Sequence, residues 1–283
     1  MKVIRDPSEM AQTCAQWRRR GCRIGFVPTM GALHDGHRSL IQRARRENDR
    51  VVVSIFVNPL QFGPNEDYAR YPRPFYQDRR VCESTWVDVL FRPSPEAMYP
   101  EGFRTGVNVE GLSEKLDGEF RPGHFKGVAT VVLKLFQQVG PDKGYFGEKD
   151  FQQLVILGRM AKDLDLPVEV VACATAREKD GLALSSRNAY LSAAERAQAP
   201  KLQQALQAGA QAAVRSRAKP HDVVRRARRF IQSIPSVSID YVRLVDESTL
   251  DDAERLRGRL RLLAAIRLGR TRLIDNIPVI CQD

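Results

Sequence analysis

Apolar positions along this chain alternate between two kinds of run. "RIGFV" (residues 23–27) and "RVVVSIFV" (residues 50–57) are short, β-branched and nearly continuous, the pattern of strands buried on both faces of a parallel sheet. Between them, "HRSLIQRARREN" places Leu40, Ile41 and Ala44 on one helical stripe, so the stretch predicts a βαβ unit with a right-handed crossover. A helix is expected near residues 74–84, then a strand at "VDVLF" (residues 87–91). "VATVVLKLFQQV" (128–139) reads as a buried helix, "KGYF" as a short strand, "DFQQLVILGRMAKDL" (150–164) as a helix and "PVEVVAC" (167–173) as a strand. Residues 1–175 are therefore expected to form an α/β domain, a Rossmann-like doubly wound parallel sheet.

Beyond "REKDGLALSSRN" the texture changes. Residues 192–218 are alanine- and glutamine-rich helix, "HDVVRRARRFIQ" adds another, and three strand-like runs follow: "IDYVRLV", "RLRLLAAIRL" and "TRLIDNIPVI". The expectation is a smaller α+β domain over residues 176–283. No repeat or low-complexity segment interrupts either part.

Composition narrows the class without naming a function. Apolar residues at 43% and charged ones at 28% of 283 residues suit a soluble globular protein. The five cysteines (Cys14, Cys22, Cys82, Cys173, Cys281) make no C-x-x-C pair, so they read as free thiols of a reducing compartment. "MKVIRDPSEM" lacks the apolar run of a signal peptide, and no apolar stretch has the length of a membrane span. A cytoplasmic protein with no membrane partner is expected. The net charge of +11 invites a nucleic-acid reading. Its arginines, however, scatter over predicted helix faces as in "VVRRARRF", with no aromatic-interleaved basic tract, and no nucleic-acid partner is expected.

Chemistry concentrates in "FVPTMGALHDGHRSL", residues 26–40, which holds two of the four histidines. His34 and His37 stand at i and i+3, on one face of a helix start. Ligands of doubly wound sheets bind at such strand-to-helix junctions, where helix N-termini expose N–H groups. Gly31 and Gly36 permit close backbone approach. Three readings stay open at this point: half of a metal site, for which no third ligand cluster offers itself; a helix cap with Asp35; and imidazole donors that follow charge developing on a phosphate.

Several blocks carry a resemblance. "H-D-G-H" at the first βα turn resembles the HIGH motif of the nucleotidyltransferase superfamily. "PTMGALHDGH", "SIFVNPLQFGPNEDYARYPR", "GHFKGVATVVLKL", "GYFGEKDFQQL" and "REKDGLALSSRNAYLS", in that order, resemble the pantoate–β-alanine ligase family from the first strand to "RLIDNIPV". The H-x-G-H alone would also suit a fragment of an aminoacyl-tRNA synthetase, and the charge a non-catalytic nucleic-acid binder.

The resemblance implies a sheet of nucleotidyltransferase type that binds ATP and pantoate, a C-terminal lid domain, and a two-step ligation. ATP and pantoate would give pantoyl adenylate and pyrophosphate with Mg²⁺; β-alanine would then displace AMP. It implies catalytic roles for His34, His37, Lys149, Ser185, Ser186 and Arg187. ATP would be held by these residues together with Pro28, Thr29, Met30, Gly31, Gly147, Asp150 and Ala176. Met30, Asn58, Gln61, Arg121, His124 and Gln153 would hold pantoate or β-alanine. "SSR" resembles the KMSKS-type loop, and a homodimer is implied. After "YPR" this chain departs from its relatives: it reads "PFYQDRR" where they commonly carry threonine and a more acidic run. Gln77 replaces an acid found in some members, and Asp78 remains as the expected Mg²⁺ ligand.

Overall fold

The computed structural model describes residues 1–64, 66–213 and 218–281. In chain order it contains β1 (Lys2–Ile4), α1 (Pro7–Arg19), β2 (Ile24–Thr29), α2 (Asp35–Glu47), β3 (Arg50–Ile55), α3 (Phe75–Ser84), β4 (Val89–Phe91) and α4 (Pro95–Met98). There follow α5 (Asp117–Phe120), α6 (His124–Val139), β5 (Lys143–Gly147), α7 (Phe151–Asp163) and β6 (Glu169–Cys173). The last part holds α8 (Ala193–Gln198), α9 (Lys201–Ala213), α10 (Pro220–Gln232), β7 (Val237–Asp246), β8 (Leu260–Leu268) and β9 (Thr271–Val279).

Two compact units result. The first comprises Met1–Glu114, Arg121–Glu148 and Ile156–Ala174; the second comprises Lys115–Phe120, Lys149–Val155 and Thr175–Asp283. The expected division placed residues 1–175 together. Two short segments of that range, around α5 and the start of α7, instead cluster with the C-terminal residues.

The first unit is a six-stranded sheet in the order β1-β4-β3-β2-β5-β6, every neighbouring pair parallel. It has the α/β architecture of a nucleotidyltransferase-like fold. From β2 the chain steps to β3 and β4, then returns to place β5 on the other side of β2. That reversal makes the carboxyl ends of β2 and β5 the switch point of the sheet, where ligands of open α/β sheets bind. One face packs Val27, Val51, Val53 and Leu90 against Ile41 and Ala44 of α2. On the other side Phe136 of α6 meets Phe26 edge-on, with ring centroids 6.3 Å apart, and Phe146 at 6.2 Å. The Arg18 guanidinium donates to the Val139 and Gly140 carbonyls at 2.9 and 2.8 Å, tying α1 to the end of α6.

The sequence pattern missed β1 and α1. Only Met10 and Cys14 of α1 are buried, too thin a stripe to register. Its start is set by Asp6, whose carboxylate accepts the Ser8 and Glu9 N–H groups. The single helix expected over residues 192–218 is two, α8 and α9, separated at Pro200, which brings no N–H. Its continuation through 214–217 lies outside the described residues.

The second unit carries a three-stranded antiparallel sheet, β7-β8-β9. Central β8 is buried at every position but Arg267. Its Leu262, Ala264 and Ile266 share a core with Leu202 and Leu206 of α9 and Val223, Ala227 and Ile231 of α10. Part of the arginine excess is used internally here. Arg272 pairs with Asp117 and Asp240 at 2.6 and 2.7 Å, and Arg261 with Glu247 at 2.9 Å. Among the described residues no helix is long and apolar enough to cross a membrane, and all five cysteines are free.

In the first unit Glu47 closes α2. It accepts from Arg43 (2.9 Å), Lys143 (3.1 Å) and the Tyr145 hydroxyl (3.0 Å). Those bonds, Arg43's first, hold its carboxyl down at about 2, against an ordinary value of 4.5. A depressed carboxylate stabilises the fold above its unfolded pKa and loses that contribution as pH falls through the folded one. Glu47→Gln is expected to lower the urea midpoint at pH 7. The gap between variant and parent should close between pH 4.5 and about 2. A gap that stays constant across this window would contradict the assignment.

Candidate functional site

The β2–α2 junction begins with Thr29. Its hydroxyl donates to the Ser54 carbonyl at 2.7 Å and accepts the Gly31 N–H at 3.1 Å. Pro28, paired with Ser54 in the ladder, precedes it, and partly buried Met30 follows. Gly31 (φ 86°) and Ala32 (φ 51°) are both left-handed, a conformation glycine tolerates and alanine does not favour. The tip N–H groups of Ala32 and Leu33 are satisfied by one carboxylate from another element. Asp78, in the first turn of α3, accepts both, at 2.9 and 2.7 Å.

This placement gives Asp78 a part that the sequence did not foresee. It is 1% exposed, each oxygen already accepts a backbone N–H, and a Cβ on Gly31 would press against it. Burial pushes its carboxyl pKa up, only partly offset by the Leu33 and Ala32 N–H groups. Its carboxylate thus has a structural part in the β2–α2 loop. Among the described residues no group of three or more His, Cys, Asp or Glu side chains is placed to hold a metal ion.

His34 and His37 cap α2 reciprocally. Nδ1 of His34 accepts the Gly36 N–H at 3.2 Å, and Nδ1 of His37 accepts the His34 N–H at 3.3 Å. The rings lie 4.1 Å apart between centroids. An Nδ1 that accepts carries no proton, so each neutral ring carries its proton on Nε2. The cap and the donor readings of this pair are thus not alternatives: the capping bonds fix the tautomer that makes both rings donors. Asp35 is exposed and is not the cap.

A second cluster surrounds the short turn Pro59–Gln61. Asn58 donates to Gln61 Oε1 and to the Gly127 carbonyl, both at 3.1 Å, and accepts from the Leu60 N–H (3.3 Å) and the Tyr99 hydroxyl (2.7 Å). Gln61 Nε2 in turn points at the Met30 sulfur, 3.1 Å away. Asn58 is 1% exposed and both its protons and both its oxygen lone pairs are engaged. Its hydrogen-bonding capacity is fully used within the protein. Arg121 lies between Glu66 (2.7 Å) and His124 (3.0 Å), and His124 Nδ1 meets the Gln61 carbonyl at 2.8 Å. Burial raises the Glu66 carboxyl, but the Arg121 guanidinium outweighs it and holds the group below the usual range. At Gly127, α6 runs so close to this turn that a Cβ would overlap the Leu60 carbonyl.

Glu66 and Tyr99 went unnoticed in the sequence. Glu66 lies 55 residues from Arg121, and Tyr99 41 from Asn58. Local pattern carries no signal across such separations.

Gly147 ends β5 with open space where a Cβ would project. The remaining candidates belong to the second unit. The Lys149 ammonium lies 3.5 Å from Asp150, and the Lys149 carbonyl accepts from Asn276 at 3.0 Å. Gln153 is partly buried in the first turn of α7; its neighbour Gln152 is 3% exposed and bonds Asp117 and Lys115. Ala176 accepts from the Leu184 N–H at 3.0 Å. The Ser185 hydroxyl caps the short helix Ser186–Tyr190 through the Arg187 N–H at 3.3 Å. The segment before it is tethered: Arg177 bonds Asp275 with both guanidinium ends, at 2.6 and 2.9 Å, and Arg196 bonds Glu178 and Asp180.

Known proteins match nearly the whole of this chain. The family model described as pantoate-beta-alanine ligase matches residues 2–278. The pantothenate synthetase of Syntrophotalea carbinolica is 51% identical over 276 residues, 98% of each chain; that of Moorella thermoacetica is 48% identical over 284 residues, all of both. The crystal structure of the Thermus thermophilus pantothenate synthetase superposes with a TM-score of 0.93 at 48% identity, covering 99% of each chain. A pantoate-beta-alanine ligase from Francisella tularensis, complexed with beta-gamma ATP and beta-alanine, gives 0.80 at 35% identity over 98% of this chain and 97% of its own. Of the readings that the H-x-G-H left open, these matches select one. The chain belongs to the pantoate–beta-alanine ligase family, enzymes that form an amide bond with ATP.

Proposed function

We propose that this protein condenses pantoate with β-alanine to pantothenate through a pantoyl-adenylate intermediate, releasing pyrophosphate and then AMP. The carrying observation is the reciprocal cap of α2, which turns His34 and His37 into two Nε2–H donors at the switch point of the sheet. ATP and β-alanine are the compounds named with the Francisella relative, and the acid is the one in the family's name.

In the first step a pantoate carboxylate oxygen attacks the α-phosphorus of ATP, and the bond to the β-phosphate oxygen breaks. The work is positioning and charge stabilisation. His34 and His37 donate to phosphate oxygens, and the N-terminus of α2 adds its dipole. Lys149 and Arg187 supply positive charge, Asp150 takes the ribose hydroxyls, and Ser185 and Ser186 donate to the phosphates. Pro28, Thr29, Met30, Gly31, Gly147 and Ala176 shape the nucleotide's surroundings. Gln61, Gln153, Arg121 and His124 hold the acid or β-alanine. In the second step the free amine of β-alanine attacks the acyl carbon, the bond to the AMP oxygen breaks, and the nitrogen gives up a proton. Mg²⁺ belongs to the reading as an ion carried on the nucleotide phosphates. A cytoplasmic homodimer, in which residues 1–175 bind ATP and pantoate and residues 176–283 act as lid, completes the proposal.

The test is purified protein with ATP, Mg²⁺, pantoate and β-alanine, in which AMP and pantothenate should form in equal amounts. Without β-alanine, pantoate should support exchange of labelled pyrophosphate into ATP. Pantothenate formed without any pantoate-dependent exchange would argue against the adenylate. His34→Asn makes a sharper test than alanine, because asparagine is itself a good N-cap yet has no imidazole N–H to offer. Its kcat should fall about 10²–10³-fold, as for loss of one transition-state donor, with the thermal midpoint held. A kcat within twofold of the parent would remove His34 from the phosphate.

A further inference from the structure

We infer that Tyr99 and Asn58 form a polarity relay that fixes the Gln61 amide with its nitrogen outward, so that Gln61 turns its donor end to the acid substrate. The inference rests on the reading that Gln61 contacts the acid. It makes Tyr99 and Asn58 positioning residues.

The direction of every bond follows from two backbone groups whose roles admit no choice. The Leu60 N–H, which can only donate, faces one end of the Asn58 amide at 3.3 Å. The Gly127 carbonyl, which can only accept, faces the other at 3.1 Å. The first end is therefore Oδ1 and the second Nδ2. With Asn58 so oriented, the Tyr99 hydroxyl 2.7 Å from Oδ1 donates its proton there. The second Nδ2 proton goes to Gln61, 3.1 Å away, so that end of the Gln61 amide is Oε1. Nε2 is left facing the Met30 sulfur.

A thioether is a weak acceptor. An anionic or hydroxyl oxygen arriving beside Met30 displaces it at little cost, and it meets the donor end of the Gln61 amide, because Oε1 is turned toward Asn58. The backbone of the same residue is fixed independently. Arg121 presents a donor to His124 Nε2, so Nδ1 carries the proton and donates to the Gln61 carbonyl at 2.8 Å. Glu66 holds Arg121 in place. Burial pushes the Tyr99 phenol pKa up, so its proton stays on through the working range.

Tyr99→Phe deletes one hydroxyl and nothing of the packing. Its expected effect is a rise in the pantoate KM of about 3–10-fold, the weight of one neutral hydrogen bond, with kcat and the ATP KM within twofold. Gln61→Ala should raise the pantoate KM more than the ATP KM. Adding Tyr99→Phe to Gln61→Ala should change nothing further, because the relay then has no end to orient. A Tyr99→Phe penalty that persists undiminished in the Gln61→Ala background, or one shared equally between pantoate and ATP, would overturn the relay while leaving Gln61 in its place. A Gln61→Ala variant with an unchanged pantoate KM would remove Gln61 from the acid, and the relay's meaning with it.

Discussion

Two backbone N–H groups at the tip of the β2–α2 loop face a single buried carboxylate, and the turn that carries Met30 and His34 depends on that pairing. Without Asp78, the Ala32 and Leu33 N–H groups would be buried unsatisfied, at about 1–3 kcal/mol each. They also belong to a turn with two successive left-handed residues, Gly31 and Ala32, a conformation that needs external support to persist. Met30 precedes this turn and His34 follows it. Both the sulfur that meets Gln61 and the imidazole that caps α2 are therefore held by a side chain from the first turn of α3. A carboxylate that would suit a cation in isolation has become the keystone of a loop.

The same economy recurs at the helix start. A pair of histidines at i and i+3 is usually weighed as either a structural cap or a set of ligand donors. Here each Nδ1 accepts a main-chain proton, and that choice dictates what Nε2 offers. Local structure thus selects the tautomer, and the tautomer selects the chemistry.

How much of this was legible in the sequence depends on the range of the signal. β2, β3, β5 and α6 announced themselves through continuous apolar runs, because burial on both faces leaves no other composition open to them. Strand β1 is three residues long and α1 buries only two side chains, so neither rises above the background of its neighbours. His34 and His37 stood out through their rarity. Asn58 and Gln61 were legible only through resemblance, and their roles diverge once geometry is known: one amide is saturated, the other keeps a weakly held donor. At Asp78 the carboxylate was visible in the sequence but its burial was not. Glu66 and Tyr99 act across 55 and 41 residues, and no periodicity links such positions.

At Gly127, helix α6 lies against the Pro59–Gln61 turn with no room for even a methyl group between them, and Asn58 is bonded to the carbonyl of that same glycine. Loop and helix consequently form one mechanical piece. Drift in the acid specificity of such a protein cannot proceed by loop substitutions alone, because any new loop must still fit the same bare stretch of helix. A transplant of this recognition element into another scaffold would have to carry α6 with it.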